Sequence, residues 1–189
     1  MEYRAYVNVP NALSVTRLFG VPFLFMLIEL DNKTYFLSWY IFLGLTDWLD
    51  GKLARAWDQA TDFGSMLDSV ADLAYYISTA YFLVVLFPDY VIPSLPHLYV
   101  FFGILGLSFL ISWWRTGKII MLHSHINRMN GVLVFFAMIL SFFFDTTLLL
   151  RVIIYSYYLA FIESILIFLI YGNVSPDTRS IFDLRKKPG

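Results

Sequence analysis

Six apolar stretches, separated by polar or proline-containing sequence, leave this chain very few folds to choose from. They run from about Ala12 to Leu30, Thr34 to Leu49, Ser65 to Phe87, Leu98 to Trp114, Gly131 to Phe144 and Leu148 to Tyr171. At about 1.5 Å per residue, each covers most of a ~30 Å hydrocarbon layer as a helix. Backbone groups find no water there, so each segment must satisfy its own hydrogen bonds. We therefore expect an all-α integral membrane protein, a six-transmembrane-helix bundle over residues 12–171 rather than a barrel. Residues 1–11 read as a short interfacial segment, 172–189 as a cytosolic tail, and 1–189 as a single membrane domain. Composition agrees: 59% of residues are hydrophobic and 14% charged, against roughly 45–50% and about 25% in soluble domains. The absence of cysteine rules out disulfides, thiolate metal sites and cysteine nucleophiles. No cleavable signal is expected, because Met1 to Asn8 lacks a basic n-region and Arg17 interrupts the first apolar run.

Basic residues set the expected orientation. With six spans, one side holds Arg4, Arg17, Lys52, Arg55, Arg115, Lys118, Arg128, Arg179, Arg185, Lys186 and Lys187, and the other only Lys33 and Arg151. This asymmetry predicts both termini in the cytosol, in a cytoplasmic or inner membrane. Trp113, Trp114 and Tyr171 fit an interfacial aromatic belt, and Arg185 to Lys187 a lipid-surface anchor.

Four acids stand where such a chain can least tolerate them. Asp47 and Asp50 are three apart, Asp68 and Asp72 four apart, so each pair shares one helix face. Carboxylates at membrane depth mark sites with polar or metal partners. Two such faces together form an all-oxygen cage suited to Mg²⁺ or Mn²⁺. Gly51, Ala54 and Gly64 keep the surroundings small, Arg55 offers bidentate phosphate recognition, and Thr61 and Ser65 supply hydroxyls beside Gly64. A diphosphate substrate unites these features: two divalent ions would bridge its oxygens, and one carboxylate, the last by preference, would act as general base.

From Asp47 to Asp72 the residues Asp47, Asp50, Gly51, Ala54, Arg55, Gly64, Asp68 and Asp72 resemble the signature of the CDP-alcohol phosphotransferases. Pro10-Asn11-x-Leu13-Ser14 resembles the entry to the first span in many members, where it approaches the nucleotide. The resemblance implies phosphatidyl-type transfer from a CDP-linked lipid to an alcohol, with release of CMP, in phospholipid biosynthesis. It implies that Asp47, Asp50 and Asp68 hold one ion and Asp47, Asp68 and Asp72 the second, with Asp72 also the base. Gly51, Arg55 and Thr61 would contact the CDP moiety, Ala54 and Gly64 would leave room for it, and Asn11 and Ser65 complete that set. A homodimer is implied too. Beyond the donor, the acceptor and membrane lipids, no nucleic-acid partner is expected.

The acceptor is less legible. Arg115, Lys118 and Arg128 could hold a phosphate-bearing alcohol, or simply contact anionic headgroups. The run Asp68-Ser69-Val70-Ala71-Asp72 looks closer to phosphatidylglycerophosphate synthases, which favours glycerol 3-phosphate. Inositol phosphate, inositol or another polar alcohol are the alternatives; Gly117 and Gly131, where inositol-phosphate enzymes carry arginine, count against the first. His123 and His125 are two apart and point different ways on a helix, which disfavours joint metal ligation. Glu163, inside the sixth span, either bonds within the bundle or lines a pocket. The rivals are an aromatic prenyltransferase, which needs more spans, and a cation-binding carrier, which leaves Gly51, Ala54, Arg55 and Gly64 unexplained. An intact set of four acids argues against an inactive member kept for dimerisation.

Overall fold

A computed structural model describes residues 8–59, 61–120, 122, 124–172, 174, 175, 178 and 180–185. The elements are α1 (Val9–Glu29), α2 (Lys33–Ala56), α3 (Asp62–Leu86), α4 (Pro88–Val91), a 3₁₀ turn (Ile92–Ser94), α5 (Leu95–Thr116), α6 (His125–Ser141), α7 (Thr147–Tyr171) and α8 (Ile181–Arg185). No strand occurs among the described residues. Val9–Glu29, Asp62–Leu86, Pro88–Thr116 and Thr147–Tyr171 are long and apolar enough to cross a membrane. The other two expected spans are helical but differ in kind. The C-terminal part of α2 carries Asp47, Asp50, Lys52 and Arg55, and α6 has only 17 residues.

Helix boundaries depart from the apolar boundaries in a consistent direction. Helix α2 does not end at Leu49 but runs on to Ala56, and α3 starts at Asp62, so the connection shrinks to 57–61. Residues 52–55, Lys-Leu-Ala-Arg, are strong helix formers, and a helix need not stop where its surroundings turn polar. Likewise α6 begins at His125, because the Ser124 side chain accepts the Asn127 N–H at 3.2 Å and caps it. Residues 9–11, expected in the interfacial segment, form the first turn of α1. Asn8 caps that turn by accepting the Asn11 N–H at 2.8 Å, and Pro10 sits where no donor is required. Residues 1–7 lie outside the described residues.

The chain divides into two compact units at Phe82 and Leu83, near the end of α3. In the first, α1 and α2 form a helical hairpin through a three-residue link, with Asp31 at φ 48. Along α1 the buried positions are Pro10, Asn11, Ser14, Arg17 and Gly20, then Val21, Leu24 and Leu27. Along α2 they are Phe36, Tyr40 and Leu43, then Thr46 and Asp50. The polar half is thus the start of α1 and the end of α2, which the hairpin sets side by side. Helix α3 turns back from α2 and brings its own polar start, with Asp68 and Asp72, to the same end. Outward positions are apolar (Phe19, Phe23, Leu45, Leu73 and Ile77 are all exposed), as a lipid-facing surface requires. Below the polar end, Tyr75 stacks on Tyr40 at 5.0 Å and donates its hydroxyl to the Tyr40 carbonyl at 3.0 Å. Gly20 lets α1 and α2 close: a Cβ there would lie 2.6 Å from Leu43, and its carbonyl accepts the Trp39 indole N–H at 3.0 Å.

In the second unit α7 packs against both α5 and α6. Helix α5 ends at Gly117 with φ 70, a left-handed cap suited to glycine. Leu122, Ile167 and Phe168 form a buried cluster that Ile181 and Leu184 of α8 pack against. Glu163 bonds to the expected tail rather than within the bundle: its Oε1 accepts from Ser180 Oγ at 2.8 Å and from Ile181 N–H at 3.0 Å, at the start of α8. Of the expected surface anchor, Lys186 and Lys187 lie outside the described residues.

Candidate functional site

The hairpin geometry fixes the depth of the acids before any side chain is considered. Asp50 lies six residues before the end of α2 and Asp68 six after the start of α3, each about 9 Å along its helix. Asp47 and Asp72 lie one turn deeper. On α1, Arg17 is eight residues in, about 12 Å, and so reaches the same layer.

Arg17 is fully buried, and its guanidinium meets all four acids. Nη1 donates to Asp47 Oδ1 at 2.7 Å and to Asp72 Oδ1; Nη2 donates to Asp68 Oδ1 at 3.1 Å and to Asp50 Oδ2. Ser14, one turn earlier, donates to the same Asp50 oxygen at 3.2 Å. Asp50 is the buried member; the other three are each about a third exposed. Sequence reasoning missed Arg17 as a site residue and counted it only towards orientation. The signal was present: an arginine inside an apolar span needs a partner, and these four acids stand in or at the edge of the two apolar segments that follow it.

Oxygens of Asp47, Asp50 and Asp68 lie within 4.8 Å of one another. An all-carboxylate set converging on one point supplies the donors that a hard divalent cation such as Mg²⁺ or Mn²⁺ takes, since such an ion prefers oxygen ligands and keeps waters. Charge argues the same way. Four carboxyl groups face one guanidinium, and no other ion pair reaches them among the described residues. Asp72 is not one of those three, but it shares Arg17 Nη1 with Asp47 and lies beside it.

Beside the acids lies a cavity of about 210 Å³ lined by Pro10, Asn11, Ser14, Asp50, Gly51, Ala54, Arg55, Gln59, Thr61, Gly64, Ser65 and Asp68. All seven residues expected to contact a CDP moiety line it. Their local structure explains the placement. Asp58, at φ 52, ends α2 in a left-handed turn, and the Gln59 N–H closes back on the Ala54 carbonyl at 2.9 Å. The chain then reverses within three residues, and Thr61 caps α3 by accepting the Gly64 N–H at 3.0 Å. The two glycines prove unlike. A Cβ on Gly64 would lie 2.5 Å from Asn11 Oδ1 and 3.0 Å from Thr61 Oγ1, so Gly64 is where α3 meets α1. A Cβ on Gly51 would meet only the Arg55 guanidinium, at 3.8 Å. Gln59 was not foreseen: it sits in the spacer between motif halves, which carries no periodic signal, and its Oε1 is buried without a hydrogen-bond partner.

The three residues expected to bind the acceptor belong to the second unit. Arg115 donates to the Phe168 and Leu169 carbonyls at 3.3 and 3.2 Å, closing the end of α7. Lys118 and Arg128 are exposed, Arg128 on the first turn of α6. Asn130, two residues further along α6, is fully buried with neither amide atom hydrogen-bonded. His125 is exposed on α6, and His123 lies outside the described residues.

A family model described as CDP-alcohol phosphatidyltransferase matches residues 7–169. Over 68 residues the chain is 44% identical to the CDP-diacylglycerol–glycerol-3-phosphate 3-phosphatidyltransferase of Haemophilus influenzae, covering 34% of this chain and 37% of that one. It is 39% identical over 79 residues to the cardiolipin synthase (CMP-forming) of Streptomyces coelicolor, covering 39% and 37% respectively. With the putative cardiolipin synthase of Mycobacterium bovis the identity is 28% over 109 residues, covering 57% and 42%. These matches therefore span 37 to 42% of the relatives' own lengths.

Proposed function

Because the chain belongs to the CDP-alcohol phosphatidyltransferase family, we propose that it transfers a phosphatidyl-type group from a CDP-linked lipid such as CDP-diacylglycerol to an alcohol, releasing CMP. The observation that carries the reading is the cavity, where residues suited to a nucleotide diphosphate share a wall with Asp50 and Asp68.

Asp47, Asp50, Asp68 and Asp72 would hold two Mg²⁺ or Mn²⁺ ions, which when bound neutralise charge on the diphosphate and on the departing phosphate. Arg55 and the Thr61 hydroxyl face the same cavity and supply charge-assisted and neutral hydrogen bonds to phosphate oxygens. Gly51 and Ala54 form a small-residue floor on α2, Asn11 and Ser65 the opposite rim, and Gly64 fixes the distance between them. Asp72 takes the proton from the acceptor hydroxyl. The freed oxygen forms a bond to the phosphorus next to the lipid glycerol. The bond from that phosphorus to the bridging oxygen breaks, and its electron pair leaves with CMP. No protein nucleophile takes part.

Glycerol 3-phosphate is the acceptor we favour, supported by the Haemophilus relative's name and by exposed Lys118 and Arg128, which with Arg115 are the cations expected to hold its phosphate. Inositol phosphate, inositol and a phosphatidylglycerol acceptor are the alternatives. The six-span count, with α2 and α6 added to the four long apolar helices, belongs to this proposal. So do the cytosolic termini and site, the homodimer, and the reading of 1–189 as one membrane domain.

The deciding experiment measures CMP release from CDP-diacylglycerol by purified protein, with each of these alcohols in turn. Release with none of them sinks the transferase reading. Release only with an alcohol other than glycerol 3-phosphate replaces the acceptor. For the carrier alternative, CDP in the presence of Mn²⁺ should raise the unfolding temperature, and no nucleotide effect would favour a carrier. The glycines give a separate check. Gly51→Ala should leave stability within about 0.5 kcal/mol of wild type or improve it, while CDP affinity falls. Gly64→Ala should cost about 1–3 kcal/mol through the Asn11 contact. Thermal unfolding with and without CDP reads both.

A further inference from the structure

The guanidinium of Arg17 and a divalent cation need the same oxygens. All four terminal N–H bonds of Arg17 are spent, one on each of Asp47, Asp50, Asp68 and Asp72. A planar guanidinium at the centre spreads the carboxylates around it. The oxygens of Asp47, Asp50 and Asp68 stand up to 4.8 Å apart, whereas adjacent ligands of a Mg²⁺-sized ion at ~2.1 Å sit only about 3 Å apart. Holding an ion therefore requires these acids to draw in, and the guanidinium stands between them. Like charge sharpens the conflict, since a divalent ion repels a neighbouring guanidinium twice as strongly as a monovalent one does.

We propose that Arg17 is an exchangeable internal counter-cation. It holds the four acids together when no ion is bound, and its guanidinium withdraws from them as divalent ions enter. The fold gives it somewhere to go. Arg17 does not itself line the 210 Å³ cavity, but Ser14, one turn before it, and its partners Asp50 and Asp68 do. The cavity's other polar lining, Asn11, Gln59, Thr61 and Ser65, gives a withdrawn guanidinium polar groups to meet. Two consequences follow. The acids, which would otherwise repel one another inside an apolar layer, are kept assembled before loading. And ion affinity is set lower than four carboxylates alone would give, because each binding event must first displace an occupant. This rests on the divalent-cation reading of the site.

The test measures Mn²⁺ binding, by the electron paramagnetic resonance of free Mn²⁺, together with thermal unfolding. It compares wild type, Arg17→Met and Arg17→Lys in detergent, the variants being purified with Mn²⁺ present. Without the ion, Arg17→Met should unfold about 5 °C or more below wild type. Its Mn²⁺ affinity should rise about tenfold or more. Arg17→Lys, whose single ammonium cannot serve four carboxylates at once, should lie between in both respects. A fixed structural arginine predicts the opposite pairing, with stability and affinity falling together. Equal or weaker Mn²⁺ binding in Arg17→Met overturns the proposal, and Arg17→Lys decides in the same sense if the methionine variant cannot be recovered. If wild type itself binds no Mn²⁺ and neither variant does, the cation reading falls and this proposal with it. Binding by wild type without tightening in the variants removes the exchange role alone.

Discussion

Asp72→Asn is expected to lower CMP release at least about a hundredfold while leaving the fold in place, the lower end of what a positioned general base contributes. Asparagine keeps the shape of the carboxylate and can still meet Arg17 through its amide oxygen, but it cannot accept the acceptor's proton. Asp72 is the best candidate because it is not one of the three acids, Asp47, Asp50 and Asp68, whose oxygens converge as a group. Its neutralisation should disturb ion binding less than that of the other three. It also does not line the cavity expected to take the nucleotide, whereas Asp50 and Asp68 do. The measurement pairs turnover with the stabilisation that CDP and Mn²⁺ confer. Turnover should collapse while the thermal shift persists. Substantial turnover in this variant would take the base role away from Asp72.

Removing the ions is expected to be as severe. Stripping the protein with a chelator should reduce CMP release to background, and Mg²⁺ or Mn²⁺ should restore it. Asp50→Asn should mimic the stripped state at any practical ion concentration. Asp50 is the most enclosed of the four acids and serves both Arg17 and Ser14. Its loss leaves a buried guanidinium short of a partner and an ion short of a ligand, so some stability should be lost as well. Full activity after chelation, with the ion shown to be absent, would remove the divalent cations from the reaction.

Much of this site could be read from spacing. Acids three and four apart share a helix face whatever the helix packs against, so the pairs Asp47/Asp50 and Asp68/Asp72 were legible at once. Most residues that line the cavity were legible as well, because Gly51, Ala54 and Arg55 continue the α2 register and Thr61, Gly64 and Ser65 start α3. Element ends were read less well. Apolar sequence marks what lipid can surround, whereas helices end where caps and left-handed residues end them, as at Asp58 and Ser124.

What the sequence by itself determined is local: helical segments, their buried faces, and the chemistry each face carries. Those follow from backbone periodicity and side-chain type, which depend on near neighbours only. Tertiary structure decided which faces meet. That Arg17 reaches acids 30 to 55 positions away, that Gln59 turns into the cavity, and that Gly64 rather than Gly51 is crowded by Asn11 all depend on how α1, α2 and α3 fold back on one another. No periodic pattern encodes those distances, because they belong to the packing of three helices and not to any one of them.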